Sequence, residues 1–289
     1  MRLKLQRSGL FITLISICLF LGSFSYIRPT PAYNSLEILN GILESTSKIK
    51  TLRYDLQRNE RLKGTMTYTE SRVKLQLSPR KLYISLTTGQ EVLWVQGANN
   101  GNALVNPGSF PYMNLNLDPM GSLMRKGQHH TINELGMEYL ADILRDGMKH
   151  SGEKLAKQFV VLGEEKYTGH TCYKISIAFP DFAWLPYTIK KGENILSVAG
   201  RLHISEYMIL ENNPKATWYT DVKEGQIIQV PNAYAKLILL MVDKESMLPI
   251  SEKIFDDKGL FESYEYLNLQ VNSAMAPEEF TKGFKGYHF

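Results

Sequence analysis

Cysteine is nearly absent: the chain holds two, Cys18 and Cys172. Only Cys172 lies beyond the first 32 residues, so the rest of the chain can form no internal disulfide. A lone thiol in an apolar-alternating segment reads as a small buried residue, not a nucleophile. Catalytic signatures are missing too. There is no Gly-rich phosphate loop, no HExxH and no G-x-S-x-G, and the six histidines are scattered. The paired acids Glu164-Glu165 and Asp256-Asp257 face opposite ways in a strand and are solvated in a turn. His129-His130 are adjacent, and adjacent residues share no helix or strand face, so they read as loop residues and poor joint metal ligands. No metal, cofactor or reaction is expected. Excess charge is also lacking. The net charge is +4, but Arg2, Lys4, Arg7 and Arg28 all fall in the first 32 residues; 33 basic residues less these four leave 29 against 29 acids. Nucleic-acid binding by bulk charge is excluded.

What is present begins with a targeting pattern. Arg2, Lys4 and Arg7 precede an apolar run over Leu10–Phe24, and Ala32 offers a cleavage point. The run is short against the roughly 20 apolar residues of a bilayer span. Residues 1–32 are therefore expected to be a signal peptide, with an uncleaved anchor as the alternative. Ile17 before Cys18 does not fit a lipidated cysteine.

Beyond it, Asn34–Leu52 carries apolar residues at helical spacing behind the caps Asn34 or Ser35. Short strand-like runs follow at Arg53–Glu60, Arg72–Ser78, Lys81–Leu86 and Glu91–Gln96, separated by turn signals. Asn106–Gln128 is rich in Pro, Gly, Asn and Met and reads as a long loop, of a kind that inside domains is often functional or mobile. Thr131 and Glu134 form a capping box for a helix with Ile132, Leu135, Tyr139, Leu140, Ile143, Leu144 and Met148 on one face. Strands return at Gln158–Glu165, Thr171–Phe179, Ala235–Val242, Ile250–Phe255 and Leu260–Val271, with a turn at Asp257-Lys258-Gly259. The pattern is α+β: a curved antiparallel sheet with two packing helices.

Tyr187–Pro231 breaks this pattern. Tyr187–Lys191 is strand-like, Lys191-Gly192 turns, and Asn194 caps a helix with Ile195, Val198, Ala199 and Leu202 on one face. Ser205 caps a second helix with Met208, Ile209 and Leu210, which Asn213-Pro214 ends. Gly225-Gln226 precedes a strand at Ile227–Val230. This order resembles a LysM module, a βααβ unit binding glycans that contain N-acetylglucosamine. The resemblance implies a shallow groove between Gly192, Glu193, Asn194 and Ile195 on one side and Asn212, Asn213 and Pro214 on the other, with Ile209 and Leu210 beneath. The chain departs from the family where Glu193-Asn194 replace its usual Asp-Thr, Leu202 an aromatic and Asn212 an apolar residue. Trp184 and Trp218 are expected either to stack on a sugar or to pack at the joint between domains.

The flanking segments are similar to the periplasmic lipoprotein-carrier superfamily, a half-barrel around a helical plug. Asp243, Leu248, Pro249, Asn272, Pro277 and Phe280 stand at its recurring "-D-x-x-x-x-L-P-" and "-x-P-x-x-F-" places. These resemblances imply three parts: a signal peptide over 1–32, a discontinuous half-barrel of 33–182 and 234–289, and an inserted LysM domain over 183–233. They imply an exported protein of the periplasm or cell envelope that binds peptidoglycan or a related glycan through the module. Its half-barrel would hold a lipid or lipoprotein segment. A cell-wall hydrolase with its carboxylates in the large domain, and a structural envelope protein using the module for protein contact, are the competing readings.

Overall fold

The computed structural model describes residues 33–151 and 157–289. The expected targeting segment, with Cys18, lies outside the described residues. The described residues form one compact unit. The class is α+β: eleven antiparallel strands make one curved, open sheet in the order β6-β5-β4-β3-β2-β1-β13-β12-β11-β8-β7. These are β1 (Thr51–Leu62), β2 (Thr65–Leu77), β3 (Arg80–Leu86), β4 (Glu91–Val95), β5 (Ala103–Asn106), β6 (Leu115–Leu117), β7 (Phe159–Tyr167), β8 (His170–Ala178), β11 (Leu237–Asp243), β12 (Pro249–Asp256) and β13 (Gly259–Val271). Among the described residues, no helix is long and apolar enough to cross a membrane.

Helix α1 (Ser35–Ser47) is capped by Asn34, whose side chain accepts from the Glu37 amide. It ends earlier than its apolar spacing suggested. Ile49 and Leu52 continue that spacing, but Thr51 and Leu52 already pair with β2, so both are buried from loop and strand. The helix expected from Thr131 also starts late, as α3 (Glu138–Ser151). Thr131 and Glu134 do bond, with the Thr131 amide donating to Glu134 Oε2 at 2.7 Å. Gly136 then takes φ +116° and interrupts the helix; a Cβ there would collide with Glu138 Oε2 and meet Leu75 Cδ2 at 2.9 Å. The long loop from Asn106 is partly ordered: it contains β6 and a single turn, α2 (Ser122–Arg125), whose Met124 and Arg125 are buried. Cys172 is fully buried, and burial pushes its thiol up to about 11.

Strands β8 and β11 are neighbours, with Ala178 opposite Leu237, although 58 residues (179–236) separate them. That stretch leaves the sheet and returns. It holds β9 (Trp184–Thr188), α4 (Ile195–Leu202), α5 (Glu206–Asn212) and β10 (Ile227–Pro231). β9 and β10 pair only with each other, so the βααβ segment is not threaded into the large sheet. It has its own core around Ile195, Val198, Ile209, Tyr219 and Ile228. At its neck, Asn232 donates to the Asp181 carbonyl at 2.8 Å and accepts from the Ala183 amide at 2.9 Å.

The segment is docked rather than carried freely on a tip. Arg125 and Glu206 form a buried ion pair at 2.7 Å. Arg61 pairs with Glu211 at 2.9 Å and with Asp256, so Asp256 is a buried partner, not a solvated turn acid. His203 meets Asp146 of α3 at 2.7 Å.

The carrier-like signature residues each close something. Asp243 accepts from the Ser246 amide and hydroxyl, and Leu248 is buried ahead of β12. Asn272 accepts from the Lys50 amide at 2.6 Å and donates to the Lys48 carbonyl at 3.1 Å, fastening the end of β13 to the α1–β1 link. Pro277 opens a 3-10 turn that buries Phe280 against Tyr83 and Leu93. Asn272→Ala is expected to lower stability by about 1–2 kcal/mol, the usual net worth of two lost hydrogen bonds, read by urea denaturation.

Candidate functional site

Alternation along the central strands points one set of side chains into the concave face. β1 contributes Tyr54, Leu56, Arg58 and Glu60; β13 contributes Glu262, Tyr264 and Tyr266; β12 contributes Glu252 and Ile254. Register then creates a conflict. Glu60 stands directly opposite Glu262, and both are buried, 2% and 0% exposed. Like charges facing across a ladder destabilise it.

The His129-His130 pair resolves the conflict. His129 Nδ1 lies 2.7 Å from Glu262 Oε2, and its Nε2 lies 2.8 Å from the Arg61 carbonyl oxygen. Both ring nitrogens therefore face acceptors, which a neutral imidazole with one N–H cannot satisfy; ring and carboxyl together hold two protons along this line. His130 Nε2 reaches the same Glu262 oxygen at 3.1 Å. Tyr234 donates to Glu262 Oε1 at 3.1 Å, and Tyr264 donates to Glu60 Oε1 at 2.9 Å. The pair does sit in a loop, as its sequence suggested. Both rings nonetheless reach one carboxylate oxygen, because irregular backbone is free of the alternation that separates neighbours on a strand.

Burial alone would raise the Glu262 carboxyl; the His130 charge and the bonds from both histidines overcome this and hold it well below the usual range. Burial alone would lower His130, but the Glu262 carboxylate raises it well above the ordinary imidazole value. Glu252 behaves oppositely. Burial, reinforced by the Glu262 charge, pushes it up to about 8.

One atom each of Glu60, His129 and Glu262 lie within 4.8 Å of one another, a spacing that could suit a metal ion. Every one of these groups is already hydrogen-bonded within the protein. A cation would have to displace those bonds, so the donor set fits an internal ion-pair network better than a metal centre.

Above this network opens a cavity of about 350 Å³. Leu56, Ile84 and Val92 of the sheet and Leu140 and Ile143 of α3 form its apolar walls, and Leu123 of α2 lies at its exposed mouth. His130, Glu252, Glu262 and the tyrosines form its polar end. None of these residues was singled out from sequence as a site. The available signal was Glu, Tyr and Tyr at 262, 264 and 266, one face of a strand expected to line a concavity.

The nine residues assigned to a sugar groove lie elsewhere, on the βααβ segment. Ile195 and Ile209 are fully buried in its core and can only be a floor. Asn194 caps α4 and accepts from the Ser197 amide. Glu193 accepts from the Tyr187 hydroxyl at 2.6 Å and pairs with Arg201. Asn213 ties α5 to β10, donating to the Ile209 and Gln229 carbonyls and accepting from the Gln229 amide. Asn212 accepts from Lys258, and Leu210 is half-buried. Gly192 and Pro214 are exposed. Trp184 bonds Asp257 at the joint with the sheet, and Trp218 packs edge-on against Tyr219.

These shifts set a pH profile. The Glu262 contribution is present above 4.5 and lost on acidification; that of His130 is present below 6.5 and lost as pH rises through its raised value. Glu252 removes stability as pH climbs from 4.5 to about 8, where it ionises in the folded state. Stability is therefore expected to peak in mildly acidic solution. Glu252→Gln should flatten the alkaline side, gaining on the order of 3 kcal/mol relative to the native chain between pH 5 and pH 8, read from denaturation at each pH.

A family model described as "Protein of unknown function (DUF1571)" matches residues 49–184, ending where the βααβ segment begins. No curated protein matches the chain. Among solved structures, the chain is similar to the complex of Pseudomonas aeruginosa MucA/MucB, at 14% identity and a TM-score of 0.40. That match covers 87% of this chain and 62% of the other, so this chain spans about three-fifths of its relative's length. It is also similar to the Mycobacterium tuberculosis lipoprotein LppX, at 14% identity, 84% and 97% coverage and a TM-score of 0.39. LprF from Mycobacterium bovis stands at 10% identity, 86% and 97% coverage and a TM-score of 0.40.

Proposed function

We propose that this is an exported binding protein of the cell envelope whose half-barrel holds one acyl chain of a lipid or a lipoprotein segment. The observation that carries this reading is the 350 Å³ cavity, walled by aliphatic side chains and closed at one end by polar ones. Its size falls within the roughly 300–1,000 Å³ of small-molecule sites. Export is supported by the basic and apolar pattern of residues 1–32. We read the site as non-catalytic. A glycosidase needs one carboxyl free to donate and another free to attack. Glu60 and Glu262 accept from Tyr264, Tyr234 and both histidines. Glu252 keeps an unpartnered oxygen, but that pair offers it no second free carboxyl.

A second binding role, for peptidoglycan-type glycans, is favoured by the βααβ segment. Its element order and its caps Asn194 and Ser205 agree with a LysM module spanning 183–233, inserted between half-barrel segments 33–182 and 234–289. Gly192 and Pro214 would form the accessible rims of the groove, over Ile195, Ile209 and Leu210.

A fluorescent C16 acyl probe is expected to bind the native protein. Val92→Trp, which fills the cavity, should weaken it at least tenfold while unfolding stays cooperative; unchanged affinity would remove the cavity from the account. Sedimentation with insoluble peptidoglycan tests the other role. Gly192→Asp with Pro214→Asp should leave the protein in the supernatant while the native chain pellets.

A further inference from the structure

One carboxyl lining the cavity lacks the partners that a charge there would need. Glu252 is 5% exposed, and its Oε1 has no hydrogen-bond partner among the described residues. The other acids around it are compensated. Glu262 takes both histidines, Glu134 lies 3.5 Å from His130 Nδ1, and Glu60 lies 3.6 Å from Arg58. Lys126, a further cation of the lining, is exposed to solvent. The charges that act on Glu252 are those of Glu262 and Glu265, which oppose a further anion, and that of His130, which is already paired with Glu262. Glu252 is therefore a neutral acid until the solution turns alkaline, near a value of about 8.

What occupies the cavity decides how costly that ionisation is. A polar-ended cavity open at Leu123 admits water in solution, and water stabilises a carboxylate at its wall. An acyl chain expels the water and offers no hydrogen bond in return. Leaving a charge beside hydrocarbon is far costlier than leaving a neutral acid there. The carboxylate and the chain thus exclude each other, whereas the neutral acid and the chain are compatible.

We propose that the half-barrel binds its acyl chain together with a proton on Glu252: the neutral acid admits the chain, and the carboxylate releases it. This rests on the acyl-chain reading above and adds to it a means of release. Linkage runs both ways. Losing the proton weakens binding of the chain, and entry of the chain in alkaline solution draws a proton back onto Glu252. The groups that face Glu252 are His130 of the loop, Glu262, Tyr264, Glu265 and Tyr266 of β13, and Tyr54 of β1. Beyond them stand Glu138 and Tyr139 of α3 and Arg80 of β3, and β11 presents the apolar Leu240. Burial holds the four tyrosines in their protonated form. His130 and Glu138 also titrate, and Glu252→Gln leaves both in place.

The test uses an uncharged fluorescent C16 methyl ester, a probe that does not itself titrate, between pH 6.5 and pH 9.5. Affinity of the native protein should fall at least tenfold across this range as the neutral fraction of Glu252 shrinks. That of Glu252→Gln should change less than about threefold, with urea denaturation at each pH confirming that both proteins are folded. Proton uptake gives a reading that needs no variant. Calorimetry at pH 9 in two buffers of different ionisation enthalpy should show the native protein taking up close to one proton per chain bound, an uptake that Glu252→Gln should lose. A native affinity indifferent to pH, a parallel fall in Glu252→Gln, or native binding at pH 9 without proton uptake overturns the inference and leaves the acyl cavity standing. Absence of probe binding to the native protein at pH 6.5 removes the acyl reading, and this inference with it.

Discussion

Two acids set opposite each other across neighbouring strands organise this molecule. Glu60 and Glu262 cannot both remain buried without compensating partners; Arg58 on the same strand serves Glu60, and Glu262 takes its partners from a loop far away in sequence. The His129-His130 loop is drawn onto the concave face by that demand. Its descent brings α2 and the start of α3 over the sheet, and so shapes the wall of the cavity. Replacing such a network by apolar residues can be neutral for stability, whereas removing a single member is severe. A buried ion-pair network under an aliphatic space is more specialised than a stable fold requires.

Polarity is also sorted along the cavity. The ion-pair network spends its hydrogen bonds internally, and next to it Glu252 keeps an atom unspent. The two halves of the floor differ because one carboxyl is hydrogen-bonded by both imidazoles, whereas burial and the charge of Glu262 dominate the other. Environment, not residue type, divides two glutamates ten positions apart into an anion and a neutral acid.

Much of the frame was readable in the sequence because it depends on local rules. Alternation and turn residues located the strands, Asn34, Asn194 and Ser205 marked helix starts, and Asp243, Leu248, Asn272 and Phe280 fell at closing points. The errors share a cause. Ile49 and Leu52 kept helical spacing while belonging to a strand, and Thr131 and Glu134 made their bond with no helix behind them, because Gly136 intervened. The site was hidden for a stronger reason. A buried Glu, His or Arg is legible only through its partner, and these partners are separated by 195 residues for Arg61 and Asp256 and by 133 for His129 and Glu262. The βααβ segment showed its elements from local pattern, but its docking through Glu206 and Glu211 needed the same distant information.

His129 carries one more implication. Its ring is stacked between Tyr207 of α5, at 4.4 Å, and Phe261 of β13, at 4.2 Å, while its nitrogen serves Glu262. The excursion between β8 and β11 is thus the roof over the buried anion. Cutting it out and rejoining the hairpin would not yield a simpler version of the same container. It would open the imidazole to water, leave Arg125 without Glu206 and leave Arg61 with Asp256 alone. In this architecture, gaining or losing the extra segment requires rebuilding the vessel's interior.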